Sequence, residues 1–159
     1  SAGGNMALAA ALLAKKRHAP AVRALVLLWP VTSASSDWKS YALYGGERFL
    51  TAPLMKWMFG KYVSDPAQRG NDLMSPVRAS AERLRGLPAT LIVVAENDIL
   101  RDEGEKMGRL LDAAGVEVTT VRFNGVIHDW GMLNGFAALH PTRTLIRLVG
   151  SVLRDYLEK

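Results

Sequence analysis

The sequence predicts an α/β fold in which a parallel sheet alternates with crossover helices and carries a helical insertion. Two observations set the sheet. Val22 to Trp29 (VRALVLLW), ended by Pro30, and Leu87 to Ala95 (LPATLIVVA) are nearly continuous aliphatic runs. Such runs suit parallel strands buried on both faces, where no polar position is needed. The third observation is order: helix, strand, insertion, strand, helix, strand, helix, which a right-handed parallel sheet requires.

The elements follow in turn. Ala2 to Arg17 is rich in Ala, Leu and Met, apolar almost all round, and closed by Pro20, so it reads as a buried helix. The strand Val22 to Trp29 comes next. Residues 32–86 change character: Trp38, Tyr41, Tyr44, Phe49, Trp57, Phe59 and Tyr62 cluster there, interrupted by Gly45–Gly46 and prolines. Within them Thr51 and Pro53 suit a helix start, and Leu54, Met55, Met58 and Tyr62 follow at helical spacing. This segment reads as a cap-like excursion from the sheet, with packing and ligand contact both open to it.

Regular alternation then returns. Asp102 to Ala114 puts Met107, Leu110, Leu111 and Ala114 on one helical face, and Gly115 suits the C-terminal cap. Val116 to Phe123 is more polar, as expected near a sheet edge. From Thr142 to Leu157 an apolar stripe of Leu145, Leu148, Val149, Val152, Leu153 and Tyr156 marks the last helix.

Composition excludes several classes. With no cysteine, disulfides, thiolate metal sites and cysteine nucleophiles are out. The net charge of +5 is spread along the chain, with Lys15–Lys16–Arg17 the one three-residue basic run, so no nucleic-acid partner is expected. No run of about 18 apolar residues predicts a membrane span. No histidine–carboxylate cluster has metal spacing, so neither metal nor cofactor is expected. The compartment stays open, with the cytoplasm favoured.

In an open parallel sheet, ligands bind beyond the carboxyl ends of the strands. Asp98 lies three residues after the strand ending at Ala95, and His128 five after the strand ending at Phe123. Ser1 opens the first helix, where a preceding strand would bring it to the same face. The order Ser, Asp, His is that of α/β-hydrolases. Asp102 and Glu103 compete with Asp98 but, at a helix start, are better explained as charges on its dipole. Asp129, next to His128 in sequence, is expected to point elsewhere. His18 and His140, at helix ends, read as structural.

These residues carry a resemblance. Ser1-Ala2-Gly3-Gly4-Asn5 resembles the end of the nucleophile turn of the hormone-sensitive-lipase-like esterases, the α/β-hydrolase fold-3 family. Glu96-Asn97-Asp98-Ile99-Leu100-Arg101-Asp102-Glu103-Gly104 is similar to that family's acid loop, Val126-Ile127-His128-Asp129-Trp130 to its histidine loop, and Ser75-Pro76-Val77-Arg78 to the segment after its cap. The family usually has Gly-Phe after the histidine, where this chain has Asp129-Trp130. The resemblance implies a serine carboxylesterase of small-molecule esters with short or medium acyl chains. Ser1 would be the nucleophile, His128 the base, Asp98 its orienting carboxylate, and Ala2 N–H an oxyanion donor. Two other functions keep the fold: cleavage of amide or peptide bonds, and ligand binding without catalysis. The chain reads as the C-terminal part of one hydrolase domain, incomplete on its N-terminal side. It is therefore expected to be poorly active alone and to oligomerise or associate with the missing half.

Overall fold

The structure, a computed structural model, describes residues 1–20 and 22–158. Three strands, β1 (Ala24–Leu28), β2 (Ala89–Asn97) and β3 (Val118–Ile127), form a parallel sheet in the order β1-β2-β3. Among the described residues six α-helices accompany them: α1 (Ala2–Lys16), α2 (Lys39–Tyr44), α3 (Ala52–Tyr62), α4 (Ala81–Leu84), α5 (Arg101–Ala113) and α6 (His140–Leu157).

Alternation along the strands divides the core in two. Leu25, Leu27, Ile92 and Val94 face α1 and α5 and pack with Leu8, Leu12, Met107 and Leu111. Leu91, Val93 and Ala95 point the other way, toward Trp130 and Leu145 of the α6 side. Burying one such side chain fully stabilises the fold by about 1.5–3 kcal/mol. The apolar run of residues 87–95 thus arises because β2 is the central strand, covered on both faces. β1 alternates half-buried and buried residues, which is milder than its sequence suggests.

A third cluster lies beyond the sheet, where Val31, Tyr41, Leu50, Met55, Phe59 and Met74 pack on Ile99 and Leu100. It fastens the excursion between β1 and β2 to the loop after β2. Helix α3 starts as expected, with Thr51 Oγ1 accepting from Leu54 N at 3.3 Å and Pro53 in the first turn. Its buried residues are Met55 and Phe59, while Leu54, Met58 and Tyr62 are exposed to solvent. Gly115 leaves α5 at φ 77, as a C-terminal glycine should.

The strand ends differ from the sequence reading in a way that matters for the site. β2 runs to Asn97 and β3 to Ile127, so Asp98 and His128 each follow their strand immediately. Ala95 pairs with Phe123 but Asn97 with Ile127, so β3 carries two extra residues there. Gly125 takes φ 72 within them, and its N–H donates to Glu96 Oε2 at 2.7 Å. This irregularity falls where the apolar pattern fades at Asn124-Gly125, which is why the pattern suggested an earlier end.

Candidate active site

Ser1, Asp98 and His128 converge at the carboxyl edge of the sheet, each placed by a different element. Ser1 caps α1; its nitrogen donates to Leu28 O at 2.7 Å and its carbonyl accepts from Val31 N at 3.2 Å, so the end of β1 holds it. Helix α1 crosses close to Pro30, because a Cβ on Gly4 would come within 2.7 Å of Pro30 Cβ. Only glycine allows that approach. At Gly3 an added Cβ would meet nothing within 4 Å, so the close approach belongs to Gly4 alone of the two. Asn5, buried, donates from Nδ2 to Val31 O at 3.0 Å and Met74 O at 3.1 Å. The first and last quoted motifs, around residues 1–5 and 75–78, are thereby joined.

Asp98 and His128 are almost completely buried. Asp98 Oδ1 accepts from Leu100 N at 2.9 Å, and Oδ2 lies 2.7 Å from His128 Nδ1. His128 Nε2 lies 3.0 Å from Ser1 Oγ. A carboxylate on Nδ1 fixes the tautomer that leaves Nε2 free to accept the hydroxyl proton. Aromatic rings hold the imidazole from the side. The Trp29 ring meets it edge-on, centroids 6.3 Å apart, and packs at a tilt against Trp130 at 4.5 Å. Trp29 itself takes φ 37, unusual for a bulky residue and of the kind found where function over-determines the backbone.

Ala2 opens α1, where helical N–H groups have no intrahelical acceptor, and it borders a cavity beside Ser1. That cavity measures about 370 Å³ and is lined by Met6, Val31, Met55, Met58, Phe59 and Tyr62 among others. Four of the six methionines of the chain reach it, Met74 being the fourth. Methionine is flexible and polarizable, so this wall can adapt to differing guests. The aromatic excursion therefore both packs and lines a cavity.

Three neighbouring carboxylates separate cleanly. Asp102 accepts from Ser40 N at 2.9 Å and from Arg101 Nε at 2.9 Å, which ties α2 to α5 away from His128. Glu103 is not the solvated dipole charge that its place at a helix start suggested. It is fully buried, and its Oε1 accepts from Thr32 N at 2.7 Å and Ser33 N at 3.0 Å. Burial, partly offset by those hydrogen bonds, pushes its carboxyl well above the ordinary range. Glu103 thus clasps the chain leaving β1 to the helix that follows Asp98. Sequence offered one signal for it: an acidic side chain four residues before Met107, on the same buried face of the helix.

Asp129 also departs from expectation. It takes φ 59, which turns its side chain back, and Oδ1 lies 3.5 Å from His128 Nε2. No sequence pattern reveals a single left-handed residue other than glycine. Among the described residues no three His, Cys, Asp or Glu groups converge as metal ligands, and no helix is long and apolar enough to cross a membrane.

A parallel sheet with these three side chains at its carboxyl edge is the arrangement of the α/β-hydrolase fold. The profile of the alpha/beta hydrolase fold family matches residues 1–132, and the chain belongs to that family, the fold-3 group its motifs resemble. It is 37% identical to ethyl acetate hydrolase of Pseudomonas putida over 131 residues, 82% of this chain and 41% of the relative. It is 31% identical to an arylesterase of Saccharolobus solfataricus, across 98% of this chain and 48% of that one. A solved thermostable esterase from Pseudomonas putida ECU1011 superimposes with a TM-score of 0.96 at 47% identity, covering 98% of this chain and 49% of the esterase. The chain spans less than half the length of these relatives.

Proposed function

We propose that the protein carrying this chain is a serine carboxylesterase that hydrolyses short or medium-chain esters through an acyl-enzyme. The relay Asp98–His128–Ser1, with spacings of 2.7 and 3.0 Å, is the observation that carries the reading. In it, His128 takes the Ser1 hydroxyl proton as Oγ attacks the ester carbonyl. The resulting imidazolium, stabilised by Asp98, returns that proton to the departing alcohol. Water then attacks the acyl-enzyme by the same route, freeing the acid and restoring Ser1. The N–H of Ala2 is one donor to the oxyanion, worth about 3 kcal/mol when aimed at the developing charge.

Substrate size follows from the cavity. At about 370 Å³ it lies near the lower end of ligand pockets, and its apolar wall suits a short or medium acyl chain. Residues 32–86 act in this reading as the cap over one hydrolase domain. The naming of its relatives as an ethyl acetate hydrolase and an arylesterase supports ester chemistry.

The test is to express the intact protein and follow hydrolysis of p-nitrophenyl esters of increasing acyl length. Turnover should favour the shorter members and vanish with Ser1→Ala. Hydrolysis that survives Ser1→Ala would refute the assignment, and tight binding without turnover would leave a receptor-like role.

A further inference from the structure

Asp129 stands where the reaction would leave it no neutral part. It occupies a tight turn in which Met132 N donates to Asp129 O at 2.8 Å, and its φ of 59 is one that glycine adopts without strain. A side chain held there in the left-handed region is strained. What the strain provides is position. Oδ1 sits 3.5 Å from His128 Nε2, with the side chain about one-third exposed at 32%. Among the described residues no lysine or arginine lies within ion-pair distance of it.

Nε2 is also the atom that hands its proton to the leaving alcohol. That alcohol oxygen must come within about 3.2 Å of Nε2 at that moment. It therefore lies within about 7 Å of Oδ1. The cavity of residues 55–62 is lined by Ser1 and Ala2 but by neither His128 nor Asp129. The two halves of an ester thus meet opposite surroundings. The acyl chain has an apolar wall, and the alcohol part has a carboxylate that no lysine or arginine among the described residues neutralises, its ion-pair partner being the protonated His128 ring.

We propose that Asp129 is a specificity-determining residue that selects esters whose alcohol part carries a cationic group, such as esters of amino alcohols. The inference rests on the serine-esterase reading given above. A positive charge two carbons beyond the ester oxygen can approach Oδ1 to about 6 Å or less. At that range, in surroundings between protein and water, Coulomb attraction favours the cation over a neutral isostere by about tenfold. Because Asp129 is partly exposed, the preference should shrink as ionic strength rises.

The experiment uses the intact protein and two acetates of nearly identical shape, acetylcholine and 3,3-dimethylbutyl acetate, which differ by one charge. The ratio of their kcat/KM values is read for wild type, Asp129→Asn and Asp129→Glu, at low and high salt. The expected result is a ratio of about ten in wild type that collapses toward one in Asp129→Asn, is partly kept in Asp129→Glu, and falls with salt. An unchanged ratio in Asp129→Asn would overturn the proposal, even if both rates dropped, since Asp129 would then act on the imidazole alone. Failure of the esterase reading looks different: neither acetate would be hydrolysed in a Ser1-dependent way. In that case the salt-sensitive binding of choline by wild type and Asp129→Asn decides, and equal binding would refute the site.

Discussion

The two flanks of Ser1 are built to opposite rules. On one side Asp98 and His128 are sealed from solvent, each polar atom has a named partner, and the rings of Trp29 and Trp130 brace the imidazole. On the other side the cavity has flexible walls, with Met6, Met58 and Tyr62 left exposed to solvent. A packed interior passes small displacements on, whereas mobile side chains absorb them. Bond-making geometry is therefore kept on the rigid flank, and the choice of acyl chain on the soft one.

The contrast is broken most severely at Asp98. Asp98→Asn should lower kcat on a short-chain ester by about 10⁴-fold, because the amide favours the wrong tautomer of His128. Asp102→Asn, whose hydrogen bonds go to Ser40 and Arg101, should stay within a few-fold. Equal losses in steady-state assays of the two variants would place the functional carboxylate wrongly.

Glu103 comes next. Glu103→Ala strands two buried N–H donors and should cost about 2–4 kcal/mol in denaturant unfolding. Glu103→Gln keeps the acceptor and sharpens the test through pH. The folded carboxyl holds its proton above the unfolded value of 4.5, so folding takes up a proton. Stability is then fully present below pH 4.5 and declines as pH rises toward the raised value. In Glu103→Gln this decline, up to about 1.4 kcal/mol per pH unit, should be missing. Parallel stability curves for wild type and Glu103→Gln between pH 5 and 8 would contradict a neutral buried Glu103.

A smaller effect belongs to the turn after His128. Asp129→Gly should raise stability by up to about 1 kcal/mol, since the left-handed backbone no longer carries a Cβ, and Asp129→Val should lower it. Thermal melts of the pair decide. Smallest of all is the soft flank: Met58→Ala should leave unfolding within about 0.5 kcal/mol and move the preferred acyl length only slightly. A large drop in Tm there would mean that the cavity wall is as rigid as the opposite flank.

What sequence made legible was whatever has a period. The aliphatic runs revealed β1 and β2, and the reactive residues past the ends of β2 and β3 pointed to Asp98 and His128 before any contact was visible. Boundaries slipped by two to four residues, because β3 continues through Asn124 and Gly125, which carry no apolar signal. Glu103 was read as a dipole charge, since nothing in its local pattern tells that the chain after β1 folds over it. Asp129, adjacent to His128 in sequence, is expected to point away, but its left-handed backbone brings the carboxylate back to the ring.

The pairing register carries one more consequence, for the order in which the molecule assembles. Ala24 of β1 pairs with Ala89, 65 residues further along, whereas Thr90 of β2 pairs with Val118, only 28 residues on. Closing the longer loop costs about 0.7 kcal/mol more chain entropy. It must also wait for the excursion to settle, while β2, α5 and β3 form one local crossover. Asp98 and His128 both emerge from that crossover, so their hydrogen bond can form before β1 arrives and before Ser1 has a place to stand. Pulse-labelled hydrogen exchange during refolding should accordingly protect amides of β2 and β3 ahead of those of β1, and simultaneous protection would rule this sequence of events out.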